Sequence, residues 1–202
     1  MNDNPRGYFE KVLAIDVETS GMFYDHQSDD PSHNAATGED YQIVSIGLIV
    51  ADVATFKPIE KMYLEIKWDG ESLWSKKAEA VHGLSVDYLE ENGVDQEEAV
   101  VEIANLIIKY WGPDVPLCLL GHNVATFDLK FLKRLFKKYG LEVRFGNRYI
   151  DTFSASQVAF NTFNSDDAFE YVGLPDRDPS KHNALTDAEN ALTVARTIRQ
   201  MW

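Results

Sequence analysis

The chain has 202 residues, 45% of them hydrophobic, enough for one sizeable buried core, and that length favours one globular unit over residues 1–202. It has no apolar run of about 18 residues, and its opening, MNDNPRGYFE, lacks the basic-then-apolar layout of a secretion signal; this argues against a membrane protein and for a cytoplasmic one. A net charge of −14 argues against a broad phosphate-binding surface, although positive charge is gathered in one segment: Lys130, Lys133, Arg134, Lys137, Lys138, Arg144 and Arg148 stand against the single acid Glu142. An acidic body with one basic patch suits a small footprint on an anionic polymer.

In chain order, KVLAIDVE (11–18) is a short β-favouring run that reads as a buried strand ending in Asp16 and Glu18. A polar stretch at about 24–40, containing Pro31 and Gly38 and no periodicity, reads as a long loop. YQIVSIGLIV (41–50) is a second strand and KMYLEIKW (61–68) a third, and the short connection between them favours antiparallel pairing. Val100, Ile103, Ala104, Ile107 and Trp111 then recur at helical spacing behind the acids Asp95, Glu97 and Glu98. VPLCLLG (115–121) reads as a central strand whose lone Cys118, with no disulfide partner in the chain, is a small buried hydrophobe. Phe131, Leu132, Leu135, Phe136 and Tyr139 mark a helix closed by Gly140. RYID (148–151) is a last strand, and the closing helix turns Ala191, Leu192, Ala195, Ile198 and Trp202 inward. The pattern predicts a mixed sheet covered by helices.

Three segments carry chemistry. Asp16 and Glu18, two apart in a strand, project from the same face; such a pair repels itself unless a hard cation such as Mg²⁺ or Mn²⁺ neutralises it, although alone it also fits a solvated strand end. In GHNVATFDLKFL, Asp128 begins a helix on its inward face, where it is either a carboxylate aimed at a site or an N-terminal cap. In KHNALTDAENAL, Asp187 shares a helix face with Ala191, Val194 and Ile198, and His182, five residues earlier, is placed to reach the same pocket. Read singly, His182 also fits an ordinary histidine and Asp187 a helix-stabilising acid.

Taken together, IDVETSGM (15–22), GHNVATFD (121–128) and HNALTDA (182–188) resemble, in order and spacing, the three motifs of the DEDDh 3′-to-5′ exonucleases, which include polymerase proofreading epsilon subunits, oligoribonuclease and ribonuclease T. AVHGLS (80–85) resembles the V-H-G-I-T segment of the proofreading branch, and Ile150-Asp151-Thr152 resembles the family's I-D-T. The resemblance spans residues 11–198; the long loop after Met22 departs from it. It implies an α/β fold of ribonuclease H type, with a five-stranded mixed sheet flanked by helices. It also implies two divalent metal ions, Mg²⁺ or Mn²⁺, roughly 3.5–4 Å apart, among four carboxylates. By this resemblance Asp16 serves both metals, Glu18 and Asp187 serve the one beside the attacking water, Asp128 supports the second, and His182 takes the water's proton.

The same resemblance places Thr19, Ser20, Gly21 and Met22 beside the terminal nucleotide, with His82, Asn123 and Asn183 as further substrate contacts. Phe127 reads equally as a base-stacking ring or a core residue, and Asp151 as structural. The implied partner is the 3′ end of a single-stranded nucleic acid or a short oligonucleotide, DNA or RNA. A polymerase or a second copy of the chain is a further partner to consider. The chain stops directly after the last helix, without a polymerase-binding tail, which favours an enzyme acting alone over a proofreading or adaptor module.

Overall fold

A computed structural model describes residues 10–22, 41–112, 115–178 and 181–201; the expected loop at 24–40 and Trp202 lie outside the described residues. The central strand β1 (Lys11–Thr19) is flanked by β2 (Ile43–Asp52) and β4 (Leu117–Gly121), with β3 (Pro58–Glu65) and β5 (Phe145–Asp151) at the edges. The sheet is mixed: β1 and β3 run antiparallel to β2, while β4 and β5 run parallel to β1. The third strand begins three residues earlier than its alternation suggested and ends at Glu65, and the last begins at Phe145. Alternation fades there because β3 and β5 lie at the edges of the sheet and are only partly buried.

The two faces of β1 explain the layers. Leu13, Ile15 and Val17 point into a cluster built with Val100, Ile103 and Ile107 of α3 (Gln96–Trp111) and Phe131, Leu132 and Phe136 of α4 (Asp128–Lys138). Each fully buried side chain of this kind contributes about 1.5–3 kcal/mol. The alternate residues Val12 and Ala14 point the other way, against Ala188, Ala191, Leu192 and Ala195 of α7 (Ala184–Gln200). That helix face is largely alanine, which lets it lie close to the sheet. Its first turn crosses β2 at Gly47, where an added Cβ would come within 2.4 Å of the Ala184 backbone. In the β1–β2 register Gly47 faces Asp16, so this contact brings the start of α7 to the acidic end of β1.

Four short helices were not apparent from periodicity: α1 (Lys76–His82), α2 (Val86–Asn92), α5 (Thr152–Phe160) and α6 (Ser165–Tyr171). Each is opened by a polar cap, Ser75, Ser85, Asp151 and Asn164 respectively, whose side chain accepts a backbone N–H of the first turn. No helix among the described residues is long and apolar enough to cross a membrane.

Candidate active site

Since Val12 and Ala14 face α7, the same alternation sends Asp16 and Glu18 toward the start of that helix. Asp187 lies there in the first turn and is buried. Ligand atoms of Glu18, His182 and Asp187 all lie within 4.8 Å of one another, a grouping able to hold a metal ion. Asp128 approaches from α4. Its helix is not capped by it: the N-cap position is Phe127 and carries no side-chain cap. The buried Asp128 carboxylate instead accepts the backbone N–H of Val17, between Asp16 and Glu18, at 3.0 Å. The five residues of the DEDDh pattern therefore converge on the carboxyl end of β1.

The electrostatics describe a site short of positive charge. Burial, then the charges of Asp128, Glu18 and Asp187, push the Asp16 carboxyl well above the usual range. Burial and the nearby Asp187 push Glu18 up to about 8. Burial pushes Asp128 up to about 7, against the opposing effect of its backbone hydrogen bonds. Burial also raises Asp187, but Arg177 pulls it back, its Nη1 donating to Oδ2 at 2.7 Å. The other oxygen of Asp187, Oδ1, is buried without a hydrogen-bond partner among the described residues. A hard oxygen set, mutually repelling and with one oxygen unpartnered, fits divalent cations such as Mg²⁺ or Mn²⁺.

Two elements, α1 and α7, hold His182. Its backbone N–H donates to Val81 O at 3.0 Å, and Asn183, the next residue, caps α7 by accepting the Thr186 N–H. Burial, then the Arg177 charge, lowers its pKa below the ordinary histidine value. The AVHGLS segment is thereby explained piece by piece. Val81 anchors the His182 loop, Gly83 ends α1 at φ 72° in the left-handed region, and Ser85 starts α2. His82, buried between them, accepts the Leu84 N–H at Nδ1, and burial lowers its pKa to about 4, so it is neutral.

The remaining expected contacts divide. Met22 is exposed, whereas Thr19 is buried and donates its hydroxyl to Gly21 O. Gly21 lies against the Tyr41 ring, where a Cβ would approach to 2.1 Å. Ser20 is fully buried; its hydroxyl donates to Leu73 O and accepts from Gln42 N, and its backbone groups pair with Gln42 and Ser75. These bonds give Ser20 the work of holding the loop. Asn123 sits at φ 63°, its N–H donated to Asp151, which also caps α5. Phe127 is half-buried, 5.1 Å from the Phe131 ring. Arg177, which the sequence reading passed over, had one signal: a lone cation between Asp176 and Asp178, five residues before His182.

A mixed sheet of this order with acids from β1, α4 and α7 defines a nuclease of ribonuclease H-like fold. Residues 13–195 match the family model described as Exonuclease (RNase_T), and the chain belongs to that family; it is an enzyme of the DEDDh 3′-to-5′ exonuclease group. It is 27% identical over 196 residues to the 3′-5′ DNA exonuclease Cap18 of Escherichia coli, covering 95% of this chain and 93% of that one. Its fold matches E. coli exonuclease I in complex with a dT13 oligonucleotide (TM-score 0.73, 16% identity, 95% of this chain). The match spans 41% of the length of exonuclease I. It also matches the nuclease domain of 3′hExo, a DEDDh family member bound to rAMP (TM-score 0.69, 15% identity, 96% of this chain and 94% of that one).

Proposed function

We propose that this protein hydrolyses the terminal phosphodiester at the 3′ end of a single strand, releasing nucleoside monophosphates one at a time. Two divalent cations, Mg²⁺ or Mn²⁺, would be held by Asp16, Glu18, Asp128 and Asp187, with His182 as the general base. The observation that carries this reading is the convergence of four carboxylates from β1, α4 and α7 on the carboxyl end of β1, with Asp187 Oδ1 buried and unpartnered among the described residues. When bound, the cations offset that charge, stabilise the charge that builds on the phosphate and acidify water.

The chain's own groups do the rest. His182, neutral near pH 7 because its pKa is lowered, takes a proton from water as the water oxygen attacks phosphorus. The bond from phosphorus to the 3′ oxygen of the preceding nucleotide breaks, and that oxygen takes a proton from solvent. The exposed Met22 and the half-buried Phe127 offer apolar surface to the terminal base, and Thr19, Gly21, His82, Asn123 and Asn183 surround it. DNA is the first substrate to test, because the near full-length relative Cap18 is a DNA exonuclease. RNA would need a group to accommodate the 2′-hydroxyl.

The test is to incubate end-labelled single-stranded DNA, single-stranded RNA and a dinucleotide with the protein and Mg²⁺ or Mn²⁺. Stepwise shortening from the 3′ end with monophosphate release is expected, and internal cleavage would overturn the reading.

A further inference from the structure

Arg177 lies on the segment between α6 and α7 and has no part in the chemistry above. Its side chain is only 16% exposed. Nη1 donates to Oδ2 of Asp187 at 2.7 Å, and Nη2 pairs with Oδ1 of Asp166 at 2.7 Å and donates to Ser165 Oγ at 3.3 Å. The guanidinium also lies over the Phe169 ring, 5.6 Å from its centroid. Withdrawing a guanidinium from water is costly unless its partners are well placed, and here both acids come from first helical turns, Asp166 from α6 and Asp187 from α7. The arginine thus joins two rigid elements.

Its grip on Asp187 is one-sided. Only Oδ2 is held, and Oδ1 is buried with no hydrogen-bond partner among the described residues. A carboxylate oxygen left so is expensive unless a cation approaches it, and its neighbours, Glu18 and His182, complete a ligand grouping.

We propose that Arg177 is a positioning residue: anchored by Asp166, it fixes Asp187 through Oδ2 so that Oδ1 is presented to the divalent cation shared with Glu18. The inference rests on the metal reading above. It differs from an arrangement in which Arg177 merely occupies the cation's place, because removing a competitor tightens cation binding, whereas removing a positioning partner weakens it. A lysine supplies the charge as a point and not as a fork, so it cannot hold both acids in the same geometry.

The experiment measures Mn²⁺ binding to the full chain by electron paramagnetic resonance, for wild type, Arg177→Gln, Arg177→Lys and Asp166→Asn, with folding checked by circular dichroism. The half-saturating Mn²⁺ for hydrolysis of single-stranded DNA is measured in parallel. Arg177→Gln is expected to weaken Mn²⁺ binding on the order of 10-fold, the lower end of what is typical for partners behind a metal ligand. Arg177→Lys should restore little, and Asp166→Asn should act in the same direction with a smaller effect. In the variants, the half-saturating Mn²⁺ should rise by a larger factor than kcat at saturating Mn²⁺ falls. Unchanged or tighter Mn²⁺ binding in folded Arg177→Gln would overturn the inference, and if that variant does not fold, the same result in Asp166→Asn would do so. A wild-type protein that neither bound Mn²⁺ nor cut DNA would instead overturn the metal reading itself.

Discussion

The backbone N–H of Val17 donates to the Asp128 carboxylate at 3.0 Å, joining positions 111 residues apart. The last register pair of β1 with β4 is Ala14 with Leu120, so beyond it Asp128 supplies the acceptor that strand pairing no longer does. One oxygen of Asp128 is thus structural, while its charge belongs to the acidic cluster.

Asp128→Asn and Asp128→Ala should therefore separate the two roles. Asparagine keeps an acceptor for the Val17 N–H and removes a repelling charge, so the metal-free protein should be at least as stable as wild type. Alanine leaves a buried N–H without a partner, costing about 1–3 kcal/mol relative to asparagine. Both should lose most activity. Urea denaturation of the metal-free variants checks this, and equal stabilities for the two would show that the hydrogen bond contributes nothing.

Stability should also depend on pH and metal together. Glu18 is raised to about 8 and Asp128 to about 7, with Asp16 raised as well, so between their unfolded values near 4 and these folded values the native state binds more protons. His82, His122 and His182, whose pKa values burial lowers, act in the opposite sense below about 6.5, so the stability of the metal-free protein falls most clearly as pH rises from about 6.5 to 8. Mg²⁺ or Mn²⁺ should raise the Tm more at pH 8 than at pH 5. A metal-free Tm that climbed across this window would contradict the assignment.

His182→Ala should retain Mn²⁺ binding through the carboxylates and lose on the order of 10²-fold or more in rate, the scale of general-base removal. Turnover and its pH profile check this together; a wild-type rate with an unchanged profile would mean that another group takes the proton.

Gly47 sets how near α7 comes to β2. Gly47→Ala would place a methyl 2.4 Å from the Ala184 backbone, which cannot yield as a side-chain end can. A cost of about 1–3 kcal/mol is expected. Displacement of Asp187 and His182 should lower turnover further than the folded fraction alone explains. Denaturation and single-turnover assays on the same preparation separate the two effects.

The basic face of α4 carries the weaker electrostatic prediction. Arg134 donates to Tyr41 O, and Lys138 bonds to Asp69 and Gln96, so both have structural work. Lys130, Lys133 and Lys137 are exposed. Replacing these three by Glu should weaken binding of longer oligonucleotides and spare dinucleotide cleavage. The wild-type salt slope should be shallow, roughly −0.7 per phosphate neutralised. Equal losses on both substrates would exclude a guiding role.

The site was legible where chemistry follows short-range rules. Two acids two apart in a strand must share a face, and an acid on the inward stripe of a helix must meet the core; Asp16, Glu18, Asp128 and Asp187 obeyed both. The strands and long helices were legible through their periods, with edges displaced where burial is partial. The seven-residue α1, α2 and α6 were not, because fewer than two turns leave no period to read. Arg177 was missed because its stretch has no period and its partners are fixed only by how α6 and α7 pack. Gly47 was readable in principle: a glycine inside an apolar strand marks the close approach of another backbone.

The most direct test of the central claim uses 5′-labelled single-stranded DNA with Mn²⁺, comparing wild type, Asp16→Ala and wild type in excess EDTA. Wild type should give a ladder that shortens one nucleotide at a time from the 3′ end, and the other two should leave the substrate intact. Full turnover in EDTA or by Asp16→Ala, or immediate loss of the 5′ label as mononucleotide, would contradict that claim.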